Sequence, residues 1–409
     1  MMKICQINCI YGLGSTGKLT RDIHLSLLKY GYDSIVIAPL KNQYTNDPGV
    51  YVVSNKFLSY STAIFRRVLG MQFDWGYIQA LRIIRNLKKV KPNIVHLHCI
   101  NGNNINIYVL LKYLAKKNIK TLYTLHAEFP YTGGCGNTLD CDRWKTGCGS
   151  CPHLKYATKS VFFDGTRRTW RKQSECYSLF DKDQLHFTAV SPWLLGRAEE
   201  SSIINRFQKV TVMNGVDTTV FNYGVQKEEW RNKLKMLKNE IMVLYVTASF
   251  FPHQDNLKGG RFILELAKRF TGMPIKIIVA ANYGDDSNLP SNLIYVGRTK
   301  TQEDLAELYR ESNLTILTSR NETFGMPVAE SLCCGTPVVG FKAGGPESIA
   351  LADYSEFVTY SDVDALEKSI LSWVEKPIDK KALAIIAEAT YSKEAMTSAY
   401  IKQYKNLFS

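Results

Sequence analysis

The chain has 409 residues, 45% hydrophobic and 22% charged, the composition of a globular protein with room for two or three domains. No run of about 18 uncharged apolar residues is present, against a membrane-spanning helix, and the start MMKICQINCIYGLG lacks the basic head and apolar run of a secretory signal. Lys and Arg number 51 against 37 Asp and Glu; residues 1–200 hold 27 of the bases and 13 of the acids, so the first half carries the whole net charge of +14.

That asymmetry points to an anionic partner for the first half: phospholipid, nucleic acid or a phosphorylated substrate. Ten cysteines are too few for a disulfide scaffold, and reduced thiols in a cytoplasmic protein are the expectation.

In chain order, residues 3–10 form a short apolar run that ends at Gly12, Gly14 and Gly17. A helical pattern follows over 19–30, with Gly31 placed to cap its C-terminus. Residues 34–39 read as a second buried strand. Ile78, Leu81, Ile84, Leu87 and Val90 fall at helical spacing, with Arg82, Arg85, Lys88 and Lys89 opposite and Pro92 beyond the end. Strand 94–98, helix 107–117 and strand 119–125 continue an alternation that predicts βαβ units on a parallel sheet.

The second half repeats the theme. Strands are predicted at 241–246, 275–280, 293–296, 314–318 and 337–340, with helices around 260–270, 302–312 and 327–334. Residues 205–223, with MNGVD at their centre, read as a hinge. The predicted fold is α/β: two Rossmann-like, doubly wound domains facing across a cleft, with ligands at the carboxyl ends of the strands.

The most informative stretch is SRNETFGMPVAESLCCGTPVVGFKAGGP, from Ser319. Glu322 precedes a helix and Glu330 lies within it, a reach of roughly 12 Å if helical, too far to share a proton. Two such carboxylates suit the hydroxyls at opposite ends of one long ligand, because carboxylates only accept hydrogen bonds and hydroxyls donate them. Between them, the Phe324–Gly325–Met326 backbone at the helix start offers N–H groups to a diphosphate. A nucleotide sugar has this layout.

Glu322-x7-Glu330 within ETFGMPVAE, the following CGTPVV and the GGPE turn resemble glycosyltransferase family 4, retaining enzymes of the GT-B fold. NLKGG at 256–260, NGVD at 214–217 and the Gly12–Gly17 loop extend the resemblance. Residues 124–152, TLHAEFPYTGGC…CDRWKTGCGSCP, are similar to the branch with colanic-acid-type polysaccharide glycosyltransferases. The resemblance implies donor-sugar contacts for Glu322, ribose contacts for Glu330 and neutralisation of the leaving diphosphate by Lys258. It implies phosphate approach at Gly17, contact of His126 with the transferred sugar, and catalysis without a metal. Arg298 and Thr299 are candidates for the base pocket.

Two departures accompany it. No Arg precedes Lys258 within residues 249–257, so Arg261 or Arg320 is the candidate substitute. Relatives favour Asp after the strand-end His, whereas this chain reads His126–Ala127–Glu128, leaving that post vacant or with Glu128.

The resemblance implies a hexosyl transfer from a nucleotide-diphosphate sugar to a cell-envelope glycan, such as a polyprenyl-diphosphate-linked acceptor, at the inner membrane face. Residues 1–200, with a crossover helix at about 390–409, would take the acceptor, and 201–389 the donor.

Other readings compete. Gly12-x4-Gly17-Lys18 nearly matches a phosphate-binding P-loop, but Leu19 stands where an ATPase needs Ser or Thr for magnesium. A non-catalytic sugar-nucleotide-binding protein of the same fold is a third class. Cys135, Cys141, Cys148 and Cys151, with His153 behind them, are a candidate structural zinc site. Cys333 and Cys334 read as core filler. Arg66, Arg67, Arg82, Arg85, Lys88, Lys89 and Lys91, with Phe73 and Trp75 as anchors, could dock on anionic lipid. No nucleic-acid recognition motif is visible.

Overall fold

In a computed structural model, residues 2–54, 70–100, 105–158, 160–224 and 226–409 are described. Arg66 and Arg67 lie outside them. The chain divides into two compact units, Met1–Met213 with Met396–Ser409, and Asn214–Ala395.

The first unit is built on seven strands: β1 (Lys3–Ile7), β2 (Asp33–Ala38), β3 (Val50–Val52), β4 (Ile94–Leu97), β5 (Lys120–Leu125), β6 (Leu185–Ala189) and β7 (Lys209–Thr211). Their order is β3-β2-β1-β4-β5-β6-β7, every pair parallel. A parallel sheet is covered on both faces, so β1, β2 and β4 read as near-continuous apolar runs. Helix α1 (Gly14–Lys29) lays Leu19, Ile23 and Leu27 against the sheet at four-residue spacing. Gly31, at φ +79°, follows its last turn and donates its N–H to Leu28 O.

Helix α2 (Tyr77–Val90) departs from its sequence reading. Its buried stripe is Ala80, Ile83, Ile84 and Leu87, whereas Ile78 and Leu81 are 50% and 46% exposed. Phe73 is buried against Phe129, so it belongs to the core and is no lipid anchor.

Leu19 sits in the core at the point where a P-loop needs a hydroxyl, which removes the magnesium ligand of the ATPase reading.

The second unit has six parallel strands: β8 (Ile241–Phe250), β9 (Ile275–Gly284), β10 (Leu293–Gly297), β11 (Leu314–Leu317), β12 (Val338–Phe341) and β13 (Ser355–Val358), in the order β10-β9-β8-β11-β12-β13. Helices α3 (Gly260–Arg269), α4 (Gln302–Glu311) and α5 (Met326–Cys333) connect them. Val243, Phe262, Ile277, Ile316 and Phe341 form its core. Cys333, the last residue of α5, and Cys334, its C-cap, are buried, as core filler should be.

After the second unit, helix α6 (Lys393–Phe408) returns to the first and buries Met396, Tyr400, Tyr404 and Leu407 among Ile4, Leu19 and Ile94. Among the described residues no helix is long and apolar enough to cross a membrane.

Candidate functional site

In the second unit the loops after β8, β11 and β12, three adjacent strands, converge at their carboxyl ends. Lys258 comes from the first loop, Glu322 from the second, and the Gly344–Gly345 turn from the third. Such an edge binds ligands because three chain reversals leave backbone groups and side chains facing one place.

Each loop is fixed locally. Asn256 Oδ1 accepts the Lys258 and Gly259 N–H groups at 2.9 and 3.2 Å, and the Lys258 carbonyl accepts the Tyr245 hydroxyl at 2.5 Å. Gly259 has φ +74°, and a Cβ there would lie 2.2 Å from the Thr318 carbonyl oxygen, so only glycine lets the lysine loop close on β11. The Glu322 N–H donates to Ala343 O at 2.9 Å, and Gly345 N–H to Glu322 O at 2.8 Å. Glu347 accepts the Ala343 and Gly344 N–H groups, so this acid holds the glycine turn.

On this frame Lys258 Nζ stands 2.5 Å from Glu322 Oε1, both side chains about a quarter to a third exposed. One of three ammonium N–H groups is used there, and the lysine keeps donors for an anion. Helix α5 begins beside Glu322: Gly325 is its N-cap at φ +89°, no side chain caps it, and no carboxylate lies in its first turn. Its end therefore presents unneutralised N–H dipoles. Phe324 and Gly325 are buried, and Met326 starts the helix half-buried. One turn on, Glu330 Oε2 accepts the Tyr309 hydroxyl from α4 at 3.0 Å. Burial and the neighbouring Glu330 charge hold the Tyr309 hydroxyl far above its ordinary range, so it stays a donor. Tyr309 was not singled out by sequence; 21 residues separate it from Glu330, and no motif links them.

Arg261 pairs with Asp255 at 3.3 Å and lies over Phe262, and Arg320 lies over the Tyr360 ring. Arg298 is exposed just past β10. Among the described residues none of these three joins the Lys258–Glu322 network.

In the first unit, Gly17 lies buried in the opening turn of α1, where a Cβ would come within 3.2 Å of the Gly12 nitrogen. His126 follows β5 and is buried, its Nε2 3.2 Å from Nδ1 of His98, which follows β4. Burial pushes His126 down to about 4, leaving a neutral ring near pH 7. Glu128 does not take up the post beside His126. Fully buried, it accepts from Thr138 N–H at 2.7 Å, Arg197 Nε at 2.6 Å and the Tyr131 hydroxyl at 3.1 Å.

The zinc expectation is not supported. Cys135, Cys141, Cys148, Cys151 and His153 line one small cavity, yet no three His, Cys, Asp or Glu side chains among the described residues are gathered to hold a metal ion. Cys135 donates its thiol to Asn137 O at 2.8 Å, and His153 meets Asp140 at 2.8 Å. Gly133 N–H donates to the Cys148 sulfur at 3.1 Å.

Residues 282–392 match the family described as Glycosyl transferases group 1. Along its length the chain is similar to WcaC of Escherichia coli (strain K12), a glycosyl transferase assigned to colanic acid biosynthesis, at 20% identity over 99% of this chain and 100% of that protein. Among solved structures it is similar to a glycosyltransferase from Rickettsia africae ESF-5, with TM-score 0.68 and 17% identity over 100% of this chain and 99% of the other. Anabaena Alr3699/HepE in complex with UDP aligns with TM-score 0.68 and 13% identity over 99% and 100% of the two chains. The same Anabaena protein is also solved in complex with UDP-glucose. With two parallel-sheet α/β units, the chain has the GT-B fold of these neighbours, and its residues 282–392, which hold Glu322 and Glu330, form a domain that matches Glycosyl transferases group 1.

Proposed function

We propose that this chain is a retaining family 4 enzyme that moves a hexose from a nucleotide-diphosphate sugar to a cell-envelope polysaccharide intermediate carried on polyprenyl diphosphate. The observation that carries the reading is the Lys258–Glu322 pair beside an uncapped helix start, with Glu330 one turn along. Glu322 accepts hydroxyls of the donor sugar, and Glu330 those of the ribose. The Phe324–Met326 backbone and Lys258 take the diphosphate, whose charge grows as the glycosidic bond breaks; a fixed cation and helix dipole lower the barrier there. The acceptor hydroxyl attacks the face that the diphosphate leaves, which retains the anomeric configuration. His126 contacts the transferred sugar, and Gly17 lets backbone approach the phosphates. The second unit is the donor side and the first the acceptor side.

The UDP and UDP-glucose complexes of the Anabaena protein support a nucleotide donor, and the resemblance to WcaC supports an envelope polysaccharide as product. A peripheral place on the inner membrane face is supported by α2, which exposes Tyr77, Ile78 and Leu81 next to Arg82, Arg85 and Lys88.

A melting-temperature screen against UDP-, GDP- and ADP-sugars tests the donor: a ligand that binds the native state raises the midpoint, and Glu322→Ala abolishes the rise. No shift with any activated sugar sinks the reading. Flotation with anionic vesicles at low salt tests the surface, and recovery in the unbound fraction removes it.

A further inference from the structure

In the first unit, residues 160–166 carry an apolar tip on a fixed base. Val161, Phe162 and Phe163 are 52%, 71% and 58% exposed, and Tyr156, just before them, is 50% exposed. The base is tightly held. Ser160, itself buried, donates its hydroxyl to Phe163 O at 2.7 Å. Asp164 accepts the Thr166 N–H and hydroxyl at 2.9 and 2.6 Å, and the Cys151 N–H at 2.7 Å. Gly70 and Gly165 bring two backbones so close that a Cβ on Gly70 would meet the Phe163 carbonyl, and one on Gly165 the Gly70 carbonyl. Two phenylalanines held in water by such a frame contribute nothing to the core, and a contiguous exposed apolar patch of this kind points to a surface outside the chain.

The charge around the tip says which surface. Residues 153–172 hold six bases, Lys155, Lys159, Arg167, Arg168, Arg171 and Lys172, against the single acid Asp164. On the helix Thr166–Ser178, directly after the tip, Arg168 and Lys172 lie one turn apart and both pair with Asp74. Arg167 and Arg171 share the adjoining face of that helix and are exposed, as is Lys155. Cations around an aromatic tip fit an anionic bilayer: the rings enter the boundary between headgroups and acyl chains while the cations stay at the level of the phosphates. Gly70, against which the tip is braced, and Asp74, which holds the basic helix, both lie in the short segment leading into α2 at Tyr77.

We propose that Val161, Phe162 and Phe163 form a membrane-inserting tip, which enters an anionic lipid surface with Arg167 and Arg171 beside it and anchors the first unit there. This role rests on the membrane-face location proposed for α2 and adds a different kind of hold. Attraction between exposed cations and lipid phosphates fades as salt screens it, whereas burial of aromatic rings does not.

The test uses the full chain and vesicles of phosphatidylcholine and phosphatidylglycerol in equal parts. Phe162→Trp reports on the tip: the emission gained over the six native tryptophans shifts to the blue on adding vesicles, and lipids brominated on their acyl chains quench it. Phe162→Ser combined with Phe163→Ser, at exposed positions, melts as wild type does and lowers vesicle affinity on the order of 100-fold, because two rings no longer leave water. That loss persists in high salt. Arg167→Gln combined with Arg171→Gln lowers affinity roughly 30-fold, and only at low salt. Bound protein whose Phe162→Trp emission stays that of an indole in water, or a serine pair that binds as wild type does, overturns the tip and leaves α2 as the contact. Wild type that stays with the unbound fraction at low salt overturns both. Equal affinity for pure phosphatidylcholine overturns the anionic partner. A wild-type dimer that the serine pair makes monomeric, without vesicle binding, gives the tip to a second copy of the chain and overturns lipid docking.

Discussion

The Tyr309 hydroxyl donates to Glu330 Oε2 at 3.0 Å, tying α4 to the carboxylate proposed for the ribose. Tyr309→Phe removes that one hydrogen bond and keeps the buried ring. Losing the orientation of a charged acceptor costs about 1 kcal/mol, roughly a fivefold rise in the Kd of the nucleotide. Titration calorimetry with UDP, or with whichever nucleotide the melting screen selects, reads it. Equal affinity in the two proteins would take Glu330 out of the binding site.

Glu322→Gln and Lys258→Ala each break the 2.5 Å pair. The pair is partly exposed and contributes under about 1 kcal/mol to folding, so both variants melt within a few degrees of wild type. Sugar transfer falls on the order of 100-fold or more, because the diphosphate loses its fixed cation or the sugar its acceptor. Initial rates with the selected donor separate the two effects. A rate loss matched by a collapsed melting point would mark the pair as structural.

Gly259→Ala places a methyl 2.2 Å from the Thr318 carbonyl in a backbone with φ +74°. The clash and the left-handed strain together cost about 2–3 kcal/mol. Urea unfolding measures this, and transfer activity drops further than stability because Lys258 is the residue displaced.

Acid weakens the first unit. His126 titrates at about 4 when folded and near 6.5 when unfolded, with burial as the cause, and His96 and His98 are lowered in the same sense. Between those values the unfolded chain holds protons that the folded chain refuses. The contribution is therefore whole above pH 6.5 and is lost as pH falls to 4, about 3 kcal/mol for His126 alone. Melting curves from pH 7 to 4.5 should fall more steeply for wild type than for His126→Asn.

Much of this was legible in the residues, for reasons that differ by element. Buried parallel strands such as β1, β8 and β11 are mostly apolar, so their runs stand out. The short β7 and β13, KVT and SEFV, carry too little apolar character to do so. On α2 the apolar residues at 78, 81, 84, 87 and 90 are spaced by three. That spacing drifts about 60° around a helix per step, so the line cannot stay on one face. The stripe that stays together is 80, 83, 84 and 87. Lys258 and Glu322 were readable because both sit in compact motifs. Tyr309 and His98 were not, since each meets its partner only through the sheet and helix order. The zinc expectation finds no support, since cysteine spacing says nothing of where neighbouring carbonyls and carboxylates will point.

Helix α6 supplies Tyr400, Tyr404 and Leu407 to a core that also holds Ile4, Leu19 and Ile94, all far earlier in the chain. The body of the first unit therefore emerges from the ribosome before residues 214–395 are made, and its last structural piece only after them. The nascent β1–β7 sheet must wait, with apolar surface uncovered, while the second unit is synthesised and free to close around its own core. Vectorial synthesis thus reverses the order printed in the chain: the second unit can mature first, and the first is sealed only by residues 396–409.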